Sequence, residues 1–361
     1  MPQARPPAQR PPQAQAPFST LTLATCNVLN LANPHRLFYP NQDVYSNAEY
    51  ERKIAWLGER FKALNADVLT VQEVWDESAL KAAVVRSGLR YSTVTAPGAE
   101  NSPQADRADE ANLSSGAQGT PCVGLITRLA VDKVESFKAF ASGLAVQVPG
   151  LGTHSAFERS PLLATLHTKD GHALHVLTAH LKSKRPKFLQ DINGAPQEDR
   201  DDPKIQALAT LRSLIMRGAE ATALRSIVVD VLRNTREPLV AMGDFNDGPH
   251  SVTTQIVAAT SEIAYNKASR DVALFNAYEV QGDAALKKDV AYSHIHQGFP
   301  EVLDQILVSE EYVSGSRFNV GDVRRVDYFN DHLHEGRDRA RSDHGFVRAL
   351  VRLRSTALNP L

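Results

Sequence analysis

Leu239-Val-Ala-Met-Gly243-Asp244-Phe-Asn246-Asp247 is an apolar run that ends abruptly in acid and amide. A short apolar run bounded in this way reads as a buried strand, and the polar end of such a strand is where α/β folds place their chemistry. Three other segments repeat the pattern: Leu23-Ala-Thr-Cys-Asn27, Leu69-Thr-Val-Gln72-Glu73 and Leu177-Thr-Ala-His180-Leu-Lys182-Ser183-Lys184. One polar residue at a strand end is what turn chemistry alone supplies. Four together bring Asn, Glu, His, Asp and Asn, an oxygen-rich set suited to Mg²⁺ or Mn²⁺.

Outward from these ends, strands are expected over 20–28, 68–74, 123–127, 162–167, 173–179, 239–243, 304–308 and 346–353. Helical patterns lie over 50–64, 77–88, 204–232 and 251–260. Strands and helices alternating along one chain predict an α/β fold. Residues 1–17 are Pro-, Gln- and Ala-rich and read as a disordered, extended tail with no apolar stretch of a signal peptide. The expected organisation is therefore a tail over 1–17, one catalytic domain over 18–354 and a short tail over 355–361. Residues 97–121 and 185–203 are polar and read as surface excursions.

The chain has 361 residues, 42% of them hydrophobic, which is ample for a core. No apolar run approaches the ~20 residues of a membrane span, which excludes an integral helical membrane protein. With 40 Lys+Arg against 41 Asp+Glu the net charge is −1, so a globally basic nucleic-acid coat is excluded too. A phosphate-bearing partner must be met by local charge or by a metal. Cys26 and Cys122 make no disulfide framework and no zinc pattern, a composition that suits a reducing compartment; a cytoplasmic location is expected.

Two C-terminal segments complete the set. In Leu303-Asp304-Gln305-Ile306-Leu307-Val308 an acid stands among apolar residues, and if buried it needs a partner, for which an imidazolium is the natural choice. In Arg341-Ser342-Asp343-His344 a carboxylate adjoins a potential general base.

Taken in order, the Asn27 strand, Gln72-Glu73-Val74, Ala179-His180-Leu181, Gly243-Asp244-Phe245-Asn246, Leu303–Leu307 and Ser342-Asp343-His344 resemble the endonuclease/exonuclease/phosphatase superfamily, the deoxyribonuclease I-like fold. A lone Gly-Asp-Phe-Asn is weak evidence; six ordered elements ending in Ser-Asp-His are specific. The resemblance implies a four-layer α/β sandwich, two packed mixed β-sheets with helices outside. It implies that Glu73 ligates a divalent metal, with Asn27 beside it and Asp343 contributing directly or through water; Mg²⁺ or Mn²⁺ is expected, and Ca²⁺ is compatible. Asp244 would orient or deprotonate the attacking water and Asn246 would hold the phosphate. His344 would be the acid–base residue, held in its tautomer by Asp304, and His180 would donate to a phosphate oxygen. Arg159 takes the place of a phosphate-contacting arginine in some members. One departure stands out: some nucleases pair the first histidine with a carboxylate on the preceding strand, and Cys122–Thr127 offers none.

Each motif has a plainer reading. His294-Ile-His296 and His332-Leu-His334 have ligand-compatible spacing, yet without Cys partners or an HExxH segment they read better as loop histidines of a rim than as a zinc site. A basic run such as Lys182-Ser-Lys184-Arg185-Pro-Lys187 is ordinarily a solvated face; its position directly after His180 favours a phosphate-attracting rim, with Lys182 and Lys184 contacting substrate. Trp56 sits at helical spacing with Ile54 and Leu57 and reads as core; Trp75 is a core residue or a base-stacking platform. The expected activity is metal-dependent hydrolysis of a phosphodiester, with nucleic acid as the expected substrate. A phosphomonoesterase, a lipid or small-molecule phosphodiesterase, and a silent phosphate-binding protein on the same fold are the competing readings.

Overall fold

The computed structural model describes residues 18–39, 42–99, 120–169, 171–191, 194–233, 235–282 and 290–355. The expected tail over 1–17, all but the first residue of the tail over 355–361, and most of the excursion over 97–121 lie outside these residues.

Two six-stranded mixed sheets form the centre. The first runs β15 (Gly321–Phe329), β16 (Phe346–Arg354), β1 (Phe18–Leu31), β2 (Val68–Val74), β4 (Cys122–Thr127), β3 (Thr93–Thr95). The second runs β11 (Leu274–Asn276), β14 (Asp304–Ser309), β10 (Leu239–Asp244), β9 (Ala173–His180), β8 (Leu162–His167), β5 (Ala130–Ser136). Two small hairpins stand apart, β6 (Val146–Val148) with β7 (Gly152–His154), and β12 (His294–His296) with β13 (Phe299–Glu301). Each sheet has one parallel pair, β1 with β2 and β9 with β10, and these pairs bring Asn27 beside Gln72 and Asp244 beside His180.

The layers follow from where each strand buries its two faces. Leu21, Leu23, Val68 and Leu125 meet Leu162, Leu166, Val240 and Ile306 in a core between the sheets. The opposite face of the first sheet, Ala24, Cys26, Leu69 and Val71, packs on α1 (Asn47–Leu64) and α2 (Glu77–Ser87). The outer face of the second sheet packs on α3 (Pro203–Leu232) and α4 (Val252–Ala258). Strands covered on both sides read as continuous apolar runs, which is why the central ones are legible in the sequence. The result is the four-layer α/β sandwich. A polar tie crosses it: Gln72 Nε2 donates to Thr25 Oγ1 at 3.1 Å in its own sheet and to Thr178 Oγ1 at 3.3 Å in the other.

Local signals set the helix ends. Ser46 and Glu49 form a reciprocal capping box at α1, and Asn65 closes it in the left-handed conformation. Asp202 caps α3 with Pro203 at its first position. The pattern misses β3, β5, β6, β7, β11, β12, β13 and β15; the longest of these, β15, alternates charge with apolar residues in Gly-Asp-Val-Arg-Arg-Val-Asp-Tyr-Phe and is a sheet edge, with Arg324 and Arg325 exposed. The 185–203 segment is not a free excursion. Buried Arg212 on α3 holds Glu198 through two 2.8 Å bonds and the Pro149 carbonyl at 2.6 Å.

Candidate active site

The C-terminal ends of β1, β2, β9 and β10 meet the start of β14 at one edge of the sandwich, and Asp244 is the hub. It is almost fully buried. Its Oδ1 accepts from the Asn246 backbone N–H at 2.8 Å. Its Oδ2 accepts from Asn27 Nδ2 at 3.1 Å and lies 3.3 Å from His180 Nε2 and 3.9 Å from His344 Nε2. Burial raises the Asp244 carboxyl to about 6, against the pull of His344. Gly243 lets the strand come this close: a Cβ there would sit 2.0 Å from the Ala179 carbonyl oxygen.

Asp304 and His344 form a buried pair, His344 Nδ1 to Asp304 Oδ2 at 2.7 Å. Burial by itself would push the imidazole down; the carboxylates of Asp304 and Asp244 outweigh it and hold the ring well above its usual value, as an imidazolium. Two serines position the pair. Ser293 Oγ accepts from the backbone N–H groups of Leu303 and Asp304 at 3.0 and 2.9 Å. Ser342 Oγ donates to the Asn27 carbonyl at 2.6 Å and accepts from the His344 N–H, latching the Ser-Asp-His turn to β1.

Glu73 stands where β2 leaves its ladder, with φ of +66°, a conformation costly for a residue with a Cβ. Its Oε1 accepts from Asn27 Nδ2 at 3.2 Å and its Oε2 from the Asn30 N–H at 3.0 Å. Burial raises its pKa, and the negative charge of Asp343 raises it further. Asp343 is itself exposed; two carboxylates close enough for the charge of one to raise the other supply oxygen donors of the kind a hard divalent cation takes. Asn27 donates its amide nitrogen to Glu73 and Asp244 and so ties these two acids together, while its oxygen accepts from the Leu29 N–H. A second ligand-spaced group is Asp244, Asp304 and His344, whose candidate atoms lie within 4.8 Å of one another. There the short Nδ1–Oδ2 bond already occupies Nδ1 of the imidazole.

His180 is buried and neutral: burial lowers its pKa far below the usual value, and Arg159 and His344 add to the effect. Its Nδ1 has no hydrogen-bond partner among the described residues, so no carboxylate takes the place noted as vacant on β4. Asn246, with φ of +54°, turns its Nδ2 to the Leu181 carbonyl at 2.9 Å. Arg159 spends Nε on the His180 carbonyl and an Nη on the Leu181 carbonyl. Lys182 is buried, lowered by burial to about 8, and its Nζ reaches Ser183; it is not part of a rim. Lys184 is exposed but paired with Glu301 at 3.1 Å, and Lys187 lies 3.9 Å from Glu158. Arg185 remains as an exposed cation of the run.

The histidine pairs gather no zinc-type cluster among the described residues. His332 Nε2 donates to the His344 carbonyl at 2.9 Å and packs edge-on against Trp56, while Tyr292 holds His334. His294 lies tilted beside His344, ring centroids 5.1 Å apart. Trp75 is buried, its Nε1 bonded to Asn30 Oδ1 at 3.0 Å, and offers no stacking platform. Sequence reasoning missed Ser293 and Asn30, which carry no local signal; it named Ser342 only inside the Ser-Asp-His element and His294 only as a rim histidine.

The model of the Endonuclease/Exonuclease/phosphatase family matches residues 24–344 of this sequence. Among solved structures, an endonuclease/exonuclease/phosphatase family protein from Bacteroides thetaiotaomicron superposes with a TM-score of 0.55 at 14% identity, over 94% of this chain and 97% of that one. The human Nocturnin catalytic domain with bound sulfate gives 0.54 at 18%, over 95% and 99%. A mannosyl-6-phosphatase from Bacteroides thetaiotaomicron gives 0.53 at 13%, over 92% and 99%. At such identities the likeness is one of fold. No functionally curated protein matches by sequence.

Proposed function

Because this chain belongs to the endonuclease/exonuclease/phosphatase family, a family of phosphoester hydrolases, we propose that it is a divalent-metal-dependent phosphodiesterase of the nuclease type. The observation that carries the reading is the convergence of Asn27, His180 and His344 on one oxygen of buried Asp244.

Phosphodiester hydrolysis needs an in-line water, neutralised phosphate oxygens and a stabilised leaving oxygen. Asp244, with a pKa near the working pH, takes the proton of the water, and a carboxyl raised to about 6 is a better base than an ordinary one. Asn27 and His180 hold that carboxylate in place. The His344 imidazolium, its tautomer fixed by Asp304, directs Nε2–H toward the phosphoryl group and compensates charge there. Asn246 and Arg159 shape the loop after β9 on which the phosphate would rest, and Lys182 lends positive charge from beneath. Glu73 and Asp343 would hold Mg²⁺ or Mn²⁺, which when bound supplies Lewis-acid neutralisation of the phosphate oxygens.

A small phosphoester as substrate is the second reading, favoured by the rim. Lys184 and Lys187 are ion-paired, which leaves little free positive charge for a polyanion. One screen separates the two. Single-stranded DNA, duplex DNA, RNA, sphingomyelin, small diesters and phosphomonoesters are each offered with Mg²⁺, Mn²⁺ or Ca²⁺. Hydrolysis of nucleic acid supports the nuclease reading, hydrolysis of monoesters alone replaces it with a phosphatase, and hydrolysis of none leaves a phosphate-binding protein.

A further inference from the structure

The peptide between Leu181 and Lys182 is gripped from two directions. Its carbonyl oxygen accepts from an Nη of Arg159 at 2.7 Å and from Asn246 Nδ2 at 2.9 Å. Its N–H donates to Glu220 Oε2 at 2.7 Å. Glu220 stands in the middle of α3 and is almost fully buried, a state rare for an acid without partners. Its other oxygen, Oε1, accepts from the Glu158 N–H at 2.8 Å. Glu158 adjoins Arg159, whose Nε donates to the His180 carbonyl at 3.0 Å. One carboxylate thus joins the loop before β8, which carries Arg159, to the loop after β9, which begins at Leu181. Arg217, one turn earlier on α3, supports the same place: its Nε lies 3.2 Å from Asp247 Oδ2, next to Asn246, and an Nη lies 3.5 Å from the Lys182 carbonyl.

A carboxylate has an acceptor oxygen for each of the two N–H groups, whereas an amide of the same shape has one and turns its own donor toward the other. Tying loops together is by itself a structural duty; what sets Glu220 apart is the peptide it holds. Arg159 and Asn246 both converge on that peptide's carbonyl, and the second Nη of half-buried Arg159 has no partner among the described residues. We infer that Glu220 is a positioning residue for phosphate binding, which fixes the 181–182 peptide and so presents Arg159 and Asn246 together to one phosphate group. The inference rests on the proposed reading of this loop as the place where the phosphate lies. With the carboxylate gone, one buried N–H is left unpaired, the peptide turns, and both side chains shift with it.

The test measures kcat and KM on bis-p-nitrophenyl phosphate in Mg²⁺, and the rise of Tm caused by inorganic phosphate as a readout free of turnover. Glu220→Gln is expected to raise KM about tenfold, the equivalent of one hydrogen bond to a charged group, while kcat stays within about threefold, because the phosphate is held alike before and during reaction. The phosphate-induced rise in Tm should shrink in parallel. Val228→Ala, which opens a cavity in the core on the same helix, should lower Tm and leave KM at the wild-type value. In an Arg159→Met background the Glu220→Gln step should be smaller, since it acts partly through that arginine. If Glu220→Gln proves too unstable to assay, Glu220→Asp, with both oxygens on a shorter stem, is read in the same way with the same sign expected. A wild-type KM in the folded Glu220 variant, an equal rise in Val228→Ala, or a step undiminished by Arg159→Met would overturn the inference alone. A wild type that neither hydrolyses the diester nor gains Tm from phosphate would overturn the phosphate reading of the loop, and the inference with it.

Discussion

Replacing Asp304 by Asn removes the charge behind His344 while keeping an acceptor of nearly the same shape. In the native protein burial works against the His344 imidazolium, and the carboxylates of Asp304 and Asp244 outweigh it. With one of the two gone, burial regains ground and the pKa of His344 falls. The imidazolium then loses its proton at a lower pH, so the alkaline limb of the rate profile moves toward acid. The bond that the substitution weakens is buried, charge-assisted and 2.7 Å long. Acid–base groups so held contribute of order 10²–10⁴ in rate, about 2.7–5.5 kcal/mol of barrier. His344→Ala should lose a similar factor, and the double variant should be little worse than the worse single one, because residues acting as a unit are strongly non-additive. The assay is kcat/KM on a small diester across pH for the two single variants and the double, with thermal melts to check folding. Losses that multiply in the double variant, or an alkaline limb unmoved in Asp304→Asn, would refute the pairing.

Glu73→Gln should abolish the metal-induced rise in Tm yet leave the metal-free protein at least as stable as wild type near pH 7. Burial raises the folded Glu73 pKa, so the stability penalty of its charge sets in as pH rises past about 4.3 and is complete above the raised value; melts in EDTA and in Mg²⁺ read both effects. Gly243→Ala, forced against the Ala179 carbonyl oxygen at 2.0 Å, should cost on the order of 3 kcal/mol or more in a denaturant titration. On a polyanionic substrate, neutralising Arg185 and Lys184 should flatten the log–log salt dependence by roughly 0.9 for each phosphate no longer neutralised. Hydrolysis of a small diester should hardly change, and an equal loss on both substrates would move these residues into the catalytic centre.

The sequence announces the edge of the sandwich where chemistry collects, because central strands covered on both faces are continuous apolar runs and their polar ends stand out against them. Asp304 is the sharpest case: an acid between Leu303 and Ile306 advertises its own burial and its need for a partner. What the sequence withholds depends on side-chain direction and on distant partners. Asn27 reads as a ligand by its neighbours, but which end of its amide faces Glu73 is decided by the Leu29 backbone. Lys182 reads as a rim cation, yet the chain turns it under the loop, where Ser183 receives it. Lys53 stands in an ordinary helical pattern between Arg52 and Ile54 and nothing local separates it from a solvated lysine, yet α1 buries it fully. Ser293 supports Asp304 from eleven residues away, and β15 hides because a sheet edge tolerates charge on alternate residues.

The proposed metal-dependent diester hydrolysis stands or falls on Asp244. It is tested by turnover of bis-p-nitrophenyl phosphate by the wild type and by Asp244→Asn, in Mg²⁺ or Mn²⁺ and in EDTA, with p-nitrophenyl phosphate alongside and melts confirming the fold. The expected result is diester hydrolysis by the wild type that EDTA abolishes and that falls by on the order of 10²-fold or more in Asp244→Asn. Turnover by the folded Asp244→Asn variant at the wild-type rate, or diester hydrolysis indifferent to EDTA, would contradict it.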